Sequence, residues 1–197
     1  MMNPKQRWRH SLEPEQLKHL TWPWKGWGYM PPIKDVFEAF EYVEQAYQPR
    51  KILEIGYHAG HSTTYMLETF PNSTVVSYGV STQARKTMGN LMAHYKDRLM
   101  VNLKHSAEII SDSNQYDFCL IDGNHEYVNA LADIKVCMDK QIPHMLIDNC
   151  EHRSVTDACV DMFSNTNYNK ARSFSYFAQW NNVARFNRID LWSVKDV

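Results

Sequence analysis

The chain has 197 residues, enough for one compact domain with a sizeable core and short for two domains of ordinary size. Its 21 Lys and Arg are balanced by 22 Asp and Glu, so it lacks the basic excess that neutralising nucleic-acid phosphates requires, and a nucleic acid is not the expected partner. The longest apolar runs are strand-sized, well short of the roughly 20 residues of a membrane-spanning helix, and the polar N-terminus has no apolar signal core; the expectation is a soluble, cytoplasmic protein without a membrane partner.

The first 30 residues stand apart, with Trp8, Trp22, Trp24 and Trp27 in a segment that has neither helical nor strand periodicity. Its aromatic surface is expected either to pack over the domain or to meet a partner or substrate, as a lid would. From residue 31 to 197 short apolar runs alternate with amphipathic stretches, the pattern of an α/β domain around a mostly parallel sheet. After Pro31-Pro32, the residues Val36, Phe37, Phe40, Val43 and Tyr47 recur at helical spacing, and Pro49 closes that helix.

Strands are predicted at Lys51–Ile55, Thr74–Tyr78, Met100–Leu103, Asp117–Ile121 and His144–Ile147. Between them, Ala84, Met88, Leu91, Met92 and Tyr95 make one helix face, Tyr127, Leu131, Ile134 and Met138 a second, and Val155, Ala158, Cys159, Met162 and Phe163 a third. After Asn- and Ser-rich turns, Ser173–Phe177 and Ile189–Val194 read as an antiparallel hairpin at the sheet edge, with no helix between them. The four cysteines (Cys119, Cys137, Cys150, Cys159) form no C-x-x-C pair and read as reduced structural thiols.

Ligands of open α/β sheets bind beyond the carboxyl ends of the strands, which makes the residue after each strand informative. The first strand runs into Glu54-Ile-Gly56-Tyr-His-Ala-Gly60-His-Ser62-Thr63, a two-glycine turn that lets backbone approach a ligand and then presents a helix N-terminus to an anionic group. Two glycines in such a turn can also serve only a tight connection. Glu54 ends an apolar strand and is expected to be held by backbone or ligand N–H groups.

The fourth strand ends at Asp122 and the fifth at Asp148-Asn149, an all-oxygen set suited to Mg²⁺, Mn²⁺ or Ca²⁺; both acids could instead be helix N-caps. His125 follows Asp122 by three residues and could take a proton from a substrate hydroxyl. His58, His61 and His152 fall at the same edge, without a third soft ligand at a spacing that suits zinc.

These residues resemble the class I S-adenosylmethionine-dependent methyltransferases, specifically the metal-dependent O-methyltransferases typified by the catechol and caffeoyl-CoA enzymes. The resemblance covers about residues 50–150 through Glu54-Ile-Gly56-x-x-x-Gly60-x-Ser62, Asp122-Gly-x-His125-x-Tyr127 and Asp148-Asn149, in that order at strand ends. It implies a Rossmann-like, doubly wound, seven-stranded sheet with a C-terminal antiparallel hairpin. It further implies Gly56 and Gly60 along the methionine part of the cofactor, Ser62 near its carboxylate, and Ser106 and Ala107 near the adenine. Asp122, Asp148 and Asn149 would hold the metal, and His125 would stand where the catechol enzymes carry a catalytic lysine.

The sequence departs from that pattern at Gly79, where an acid normally hydrogen-bonds the ribose; losing such a bond costs about 1.5–3 kcal/mol. A second departure is Met138–Pro143, which lacks the glycine pair common before the fifth strand. The leading expectation is methyl transfer from S-adenosylmethionine to a hydroxyl of a small-molecule acceptor, with a divalent metal and with Glu54, Gly79 and Asp122 also lining the cofactor. The alternatives are a metal-independent methyltransferase, or a non-catalytic binding protein on a methyltransferase scaffold. A homo-oligomer is compatible with either.

Overall fold

The computed structural model describes residues 34–180 and 183–195, so the expectations for residues 1–30 lie outside the described residues. In chain order the elements are α1 (Lys34–Tyr47), β1 (Lys51–Ile55), α2 (His61–Thr69), β2 (Thr74–Tyr78), α3 (Thr82–Tyr95), β3 (Leu99–Asn102), a 3₁₀ segment at Ser106–Ser111, β4 (Phe118–Ile121), α4 (Tyr127–Asp139), β5 (His144–Ile147), α5 (Arg153–Phe163), β6 (Tyr168–Trp180) and β7 (Val183–Val194).

The seven strands form one sheet in the order β3-β2-β1-β4-β5-β7-β6, parallel from β3 to β5 and antiparallel from β5 to β7 and β6. This is the expected doubly wound, Rossmann-like architecture. Its chain order reverses between β1 and β4, which is where such sheets open a crevice at their carboxyl edge.

Strand periodicity divides the core into two layers. Ile52, Phe118 and Leu120 point into one, with Phe40, Tyr65 and Phe70 from the α1 and α2 side; Leu53, Ile55, Cys119 and Ile121 point into the other, with Ile134 of α4 and Val155 of α5. Both faces of the parallel strands are therefore apolar, which is why they read as continuous runs rather than as alternation. The four cysteines are buried free thiols, as the sequence suggested.

Three differences from the sequence reading have local causes. The hairpin strands are longer than the expected Ser173–Phe177 and Ile189–Val194, because cross-strand pairing continues from Phe177↔Phe186 out to Trp180↔Val183. Helix α2 is buried around most of its circumference, so His61-Ser-Thr-Thr-Tyr-Met-Leu-Glu-Thr69 shows little amphipathic periodicity. The Ser106–Ser111 segment is 3₁₀, too short to produce a sequence period. Among the described residues no helix is long and apolar enough to cross a membrane.

Candidate active site

The carboxyl ends of β1, β2, β4 and β5 meet around the turn after β1. Gly56 has φ 116°, and a Cβ there would lie 1.9 Å from the Asp122 carbonyl oxygen, so the β1 turn presses directly on the end of β4. The Gly56 and Tyr57 amides both donate to the Tyr78 carbonyl at 2.9 Å, which locks the same turn onto β2. Gly60, with φ 86°, stands at the N-terminus of α2, whose first turn contains no acid.

Glu54 is fully buried and is held differently from the expectation. Its oxygens accept three side-chain hydroxyls, Ser62 Oγ at 2.5 Å, Thr63 Oγ1 at 2.6 Å and Ser77 Oγ at 2.5 Å, rather than backbone N–H groups. Burial pushes its pKa up, and the three hydroxyls oppose that shift. Ser62 is thereby directed at Glu54. Ser106 likewise donates to a buried carboxylate, Asp133 Oδ1 of α4, at 2.5 Å, while Ala107 beside it is exposed. Gly79 donates its amide to the Asn102 carbonyl, and a Cβ there would lie 2.1 Å from the Tyr57 carbonyl oxygen.

On the other side of the crevice, neither Asp122 nor Asp148 is a helix cap, because Glu126 and His152 occupy the N-cap positions of α4 and α5. Asp122, 22% exposed, lies 3.8 Å from His125 Nε2, a charge pair too long for a hydrogen bond. Burial raises the Asp122 pKa against the pull of His125 and His58, and the Asp122 carboxylate in turn raises that of His125. Asp148 is buried, and burial followed by the charge of Asp122 holds its carboxyl well above the usual range. His61 is pushed down to about 4 by burial and by His58, so it is neutral at physiological pH.

Two further residues join this cluster without having been singled out from the sequence. Glu151 accepts the Arg188 backbone N–H at 2.8 Å and the Asn149 amide at 3.3 Å, and lies 3.6 Å from His152 Nε2. Tyr176 of β6 donates to Asp148 Oδ1 at 3.4 Å. The His125 and His152 rings are stacked with centroids 5.5 Å apart, and a small cavity lined by Gly123, Asn124, His125 and Asp148 lies under them. Glu151 was detectable in principle, as a third acid just beyond the β5 end; Tyr176 was not, because only the hairpin fold brings it to Asp148.

The expected metal set is only partly assembled. Asp122 and Asp148 supply a crowded pair of hard oxygen donors, but the Asn149 amide is turned to Glu151. Among the described residues no group of three or more His, Cys, Asp or Glu side chains is arranged to hold a metal ion. The protein's own donors thus leave a divalent cation incompletely held.

Residues 53–150 match the family model described as a methyltransferase domain. No curated protein matches the chain. Among solved structures, cofactor-bound Rv0187 from MTB aligns with TM-score 0.68 at 16% identity over 100% of both chains. The O-methyltransferase TomG from Streptomyces achromogenes, in complex with SAM, aligns with TM-score 0.66 at 13% identity over 99% of this chain and 100% of its own. The O-methyltransferase from Bacillus cereus, in complex with SAH, gives TM-score 0.64 at 15% identity over 99% and 93%. At these identities the likeness is one of fold.

Proposed function

The chain belongs to the methyltransferase-domain family through residues 53–150, and from that premise we propose that it transfers a methyl group from S-adenosylmethionine to a hydroxyl oxygen of a small molecule. The observation that carries the oxygen-directed part of this reading is the Asp122–His125 pair at the end of β4, beside the β1–β4 crevice.

The residues suit a zwitterionic, adenosyl-bearing cofactor. The acid-free N-terminus of α2 after Gly60 favours a carboxylate, and the partly exposed Asp122 favours the ammonium and sulfonium charges. Ser106, Ala107 and Gly123 border the adenine side in this reading, with Gly56 along the methionine and Gly79 below the ribose. Bound there, S-adenosylmethionine supplies an activated methyl on a cationic sulfur.

His125 accepts the acceptor's hydroxyl proton at Nε2 as the new O–CH₃ bond forms and the S–CH₃ bond breaks, and the adjacent Asp122 carboxylate stabilises the imidazolium. Asp148, fixed by Tyr176, and Glu151, fixed by the Arg188 amide, shape the acceptor side. Because the donor set for a divalent cation is incomplete, no step is routed through a metal, and retained activity in EDTA is the expected result. Loss of activity on chelation, restored by Mg²⁺ or Mn²⁺, would instead give Asp122, Asp148 and Asn149 the metal role that the sequence resemblance implies.

The test is calorimetric titration with S-adenosylmethionine and S-adenosylhomocysteine, followed by methyl-transfer assays on hydroxylated aromatic and aliphatic acceptors. His125→Ala should bind cofactor as the wild type does and lose roughly 10²–10⁴-fold in turnover. Absence of cofactor binding would leave a binding protein on this scaffold; unchanged turnover in His125→Ala would remove the proposed base.

A further inference from the structure

The C-terminal hairpin runs past the sheet it completes. β5 stops at Ile147, opposite Asp190, so Val183–Ile189 of β7 and Phe174–Trp180 of β6 continue as a two-stranded ribbon beyond the carboxyl end of β5. Such a ribbon is marginal in water on its own. Among the described residues β6 has a strand neighbour on one side only, which leaves its outer edge free to pair.

The two halves of that edge differ. The first half has a register shift between Lys170 and Arg172 and carries both cations, devices that discourage edge-to-edge pairing. The second half, Ser173-Phe-Ser-Tyr-Phe-Ala-Gln-Trp180, has no charge, no proline, no glycine and no register shift. On its exposed face Phe177, 69% exposed, stands directly opposite Phe186, 45% exposed, with ring centroids 5.7 Å apart. Aromatic pairs of this size in water mark contact surfaces.

We propose that this half-strand pairs with the same half-strand of a second copy of the chain, antiparallel about a two-fold axis at Phe177, so that two seven-stranded sheets become one. An uncharged strand turned against itself is complementary without any further pattern, which is what an isologous contact requires. Centring on Phe177 sets Phe174 against Trp180 and keeps Arg172 outside the paired stretch, so like charges do not meet. A charged foreign peptide would instead need the cations, and those lie on the half that the register shift protects. The paired ribbon also carries Tyr176, so the contact would brace the strand that reaches Asp148.

The proposal is independent of methyl transfer and is read by assembly. Sedimentation equilibrium of the full chain should show a dimer, and amide hydrogen exchange should be slow over residues 174–180. Phe177→Lys sets two cations across the axis; it should weaken dimerisation by roughly tenfold or more and release those amides, with the melting curve of the fold retained. Phe177→Tyr should remain dimeric. Should Phe177→Lys fail to fold, Ser175→Lys, also exposed on that edge, makes the same test. A monomeric wild type, a dimer that survives the lysine substitution, or a dimer whose 174–180 amides exchange freely would each overturn the proposal.

Discussion

Gly79 stands where adenosyl-cofactor folds usually carry an acid, and the reason is steric: a Cβ at that position would lie 2.1 Å from the Tyr57 carbonyl oxygen. The β1 turn occupies the space an acidic side chain would need, because the Gly56 and Tyr57 amides are both bound to the Tyr78 carbonyl. Gly79→Asp is therefore expected to lower stability by about 1–3 kcal/mol in urea denaturation without tightening S-adenosylmethionine in calorimetry. A stable variant with tighter binding would mean that the turn moves aside. His125 presents a different residue-scale consequence. The Asp122 carboxylate raises its pKa, so the imidazole binds its proton more firmly in the folded protein than in the unfolded chain, and the neutral base appears only as pH rises past the ordinary histidine range. The acid limb of the activity profile should accordingly lie above about 6.5, and Asp122→Asn should move the His125 titration, followed by NMR of its ring protons, to lower pH. The sequence exposed His125 and Asp122 because each follows an apolar strand; it could not expose the contact between Gly79 and Tyr57, which depends on backbone from two different turns.

At the scale of elements, Glu54 binds β1 to two neighbours at once, to α2 through Ser62 and Thr63 and to β2 through Ser77. Glu54→Ala would leave three buried hydroxyls without their acceptor as well as a cavity, an expected loss of about 2–5 kcal/mol in urea denaturation; Glu54→Gln keeps one acceptor oxygen and should lose less. The placement of the acid was visible in Lys51–Ile55, but its partners were not, since hydroxyl residues in a helix and a strand carry no signal of which charge they serve. The parallel strands β1, β2 and β5 were legible to the residue because burial on both faces produces short unbroken apolar runs. The outer parts of β6 and β7 were not, because Asn, Ser, Lys and Arg within them suit turns as well as an edge strand, and it is the cross-strand register that decides. Helix α2 concealed itself for the opposite reason, being buried on nearly every side.

For the molecule as a whole, the candidate crevice joins elements that the two core layers stabilise separately: the turns after β1 and β2 and the start of α2 on one side, the ends of β4 and β5 on the other. A ligand that touches both sides binds only the folded chain and stabilises it by mass action, about 2.7 kcal/mol at a hundredfold excess over Kd. For a domain of this length, each kcal/mol corresponds to roughly 2–4 °C, so S-adenosylhomocysteine at that excess should raise Tm by about 5–11 °C. The same melt separates the two sides of the site. Mg²⁺ or Mn²⁺ alone would relieve the repulsion between Asp122 and Asp148 if their carboxylates hold it, so a metal-dependent rise in Tm without cofactor would assign these oxygens to a cation. With the donor set this incomplete, the expected result is a cofactor-dependent rise and no metal-dependent one. Asp122→Asn should then reduce the cofactor shift by removing a charge that faces the ammonium and sulfonium groups, while leaving the melt of the free protein close to that of the wild type.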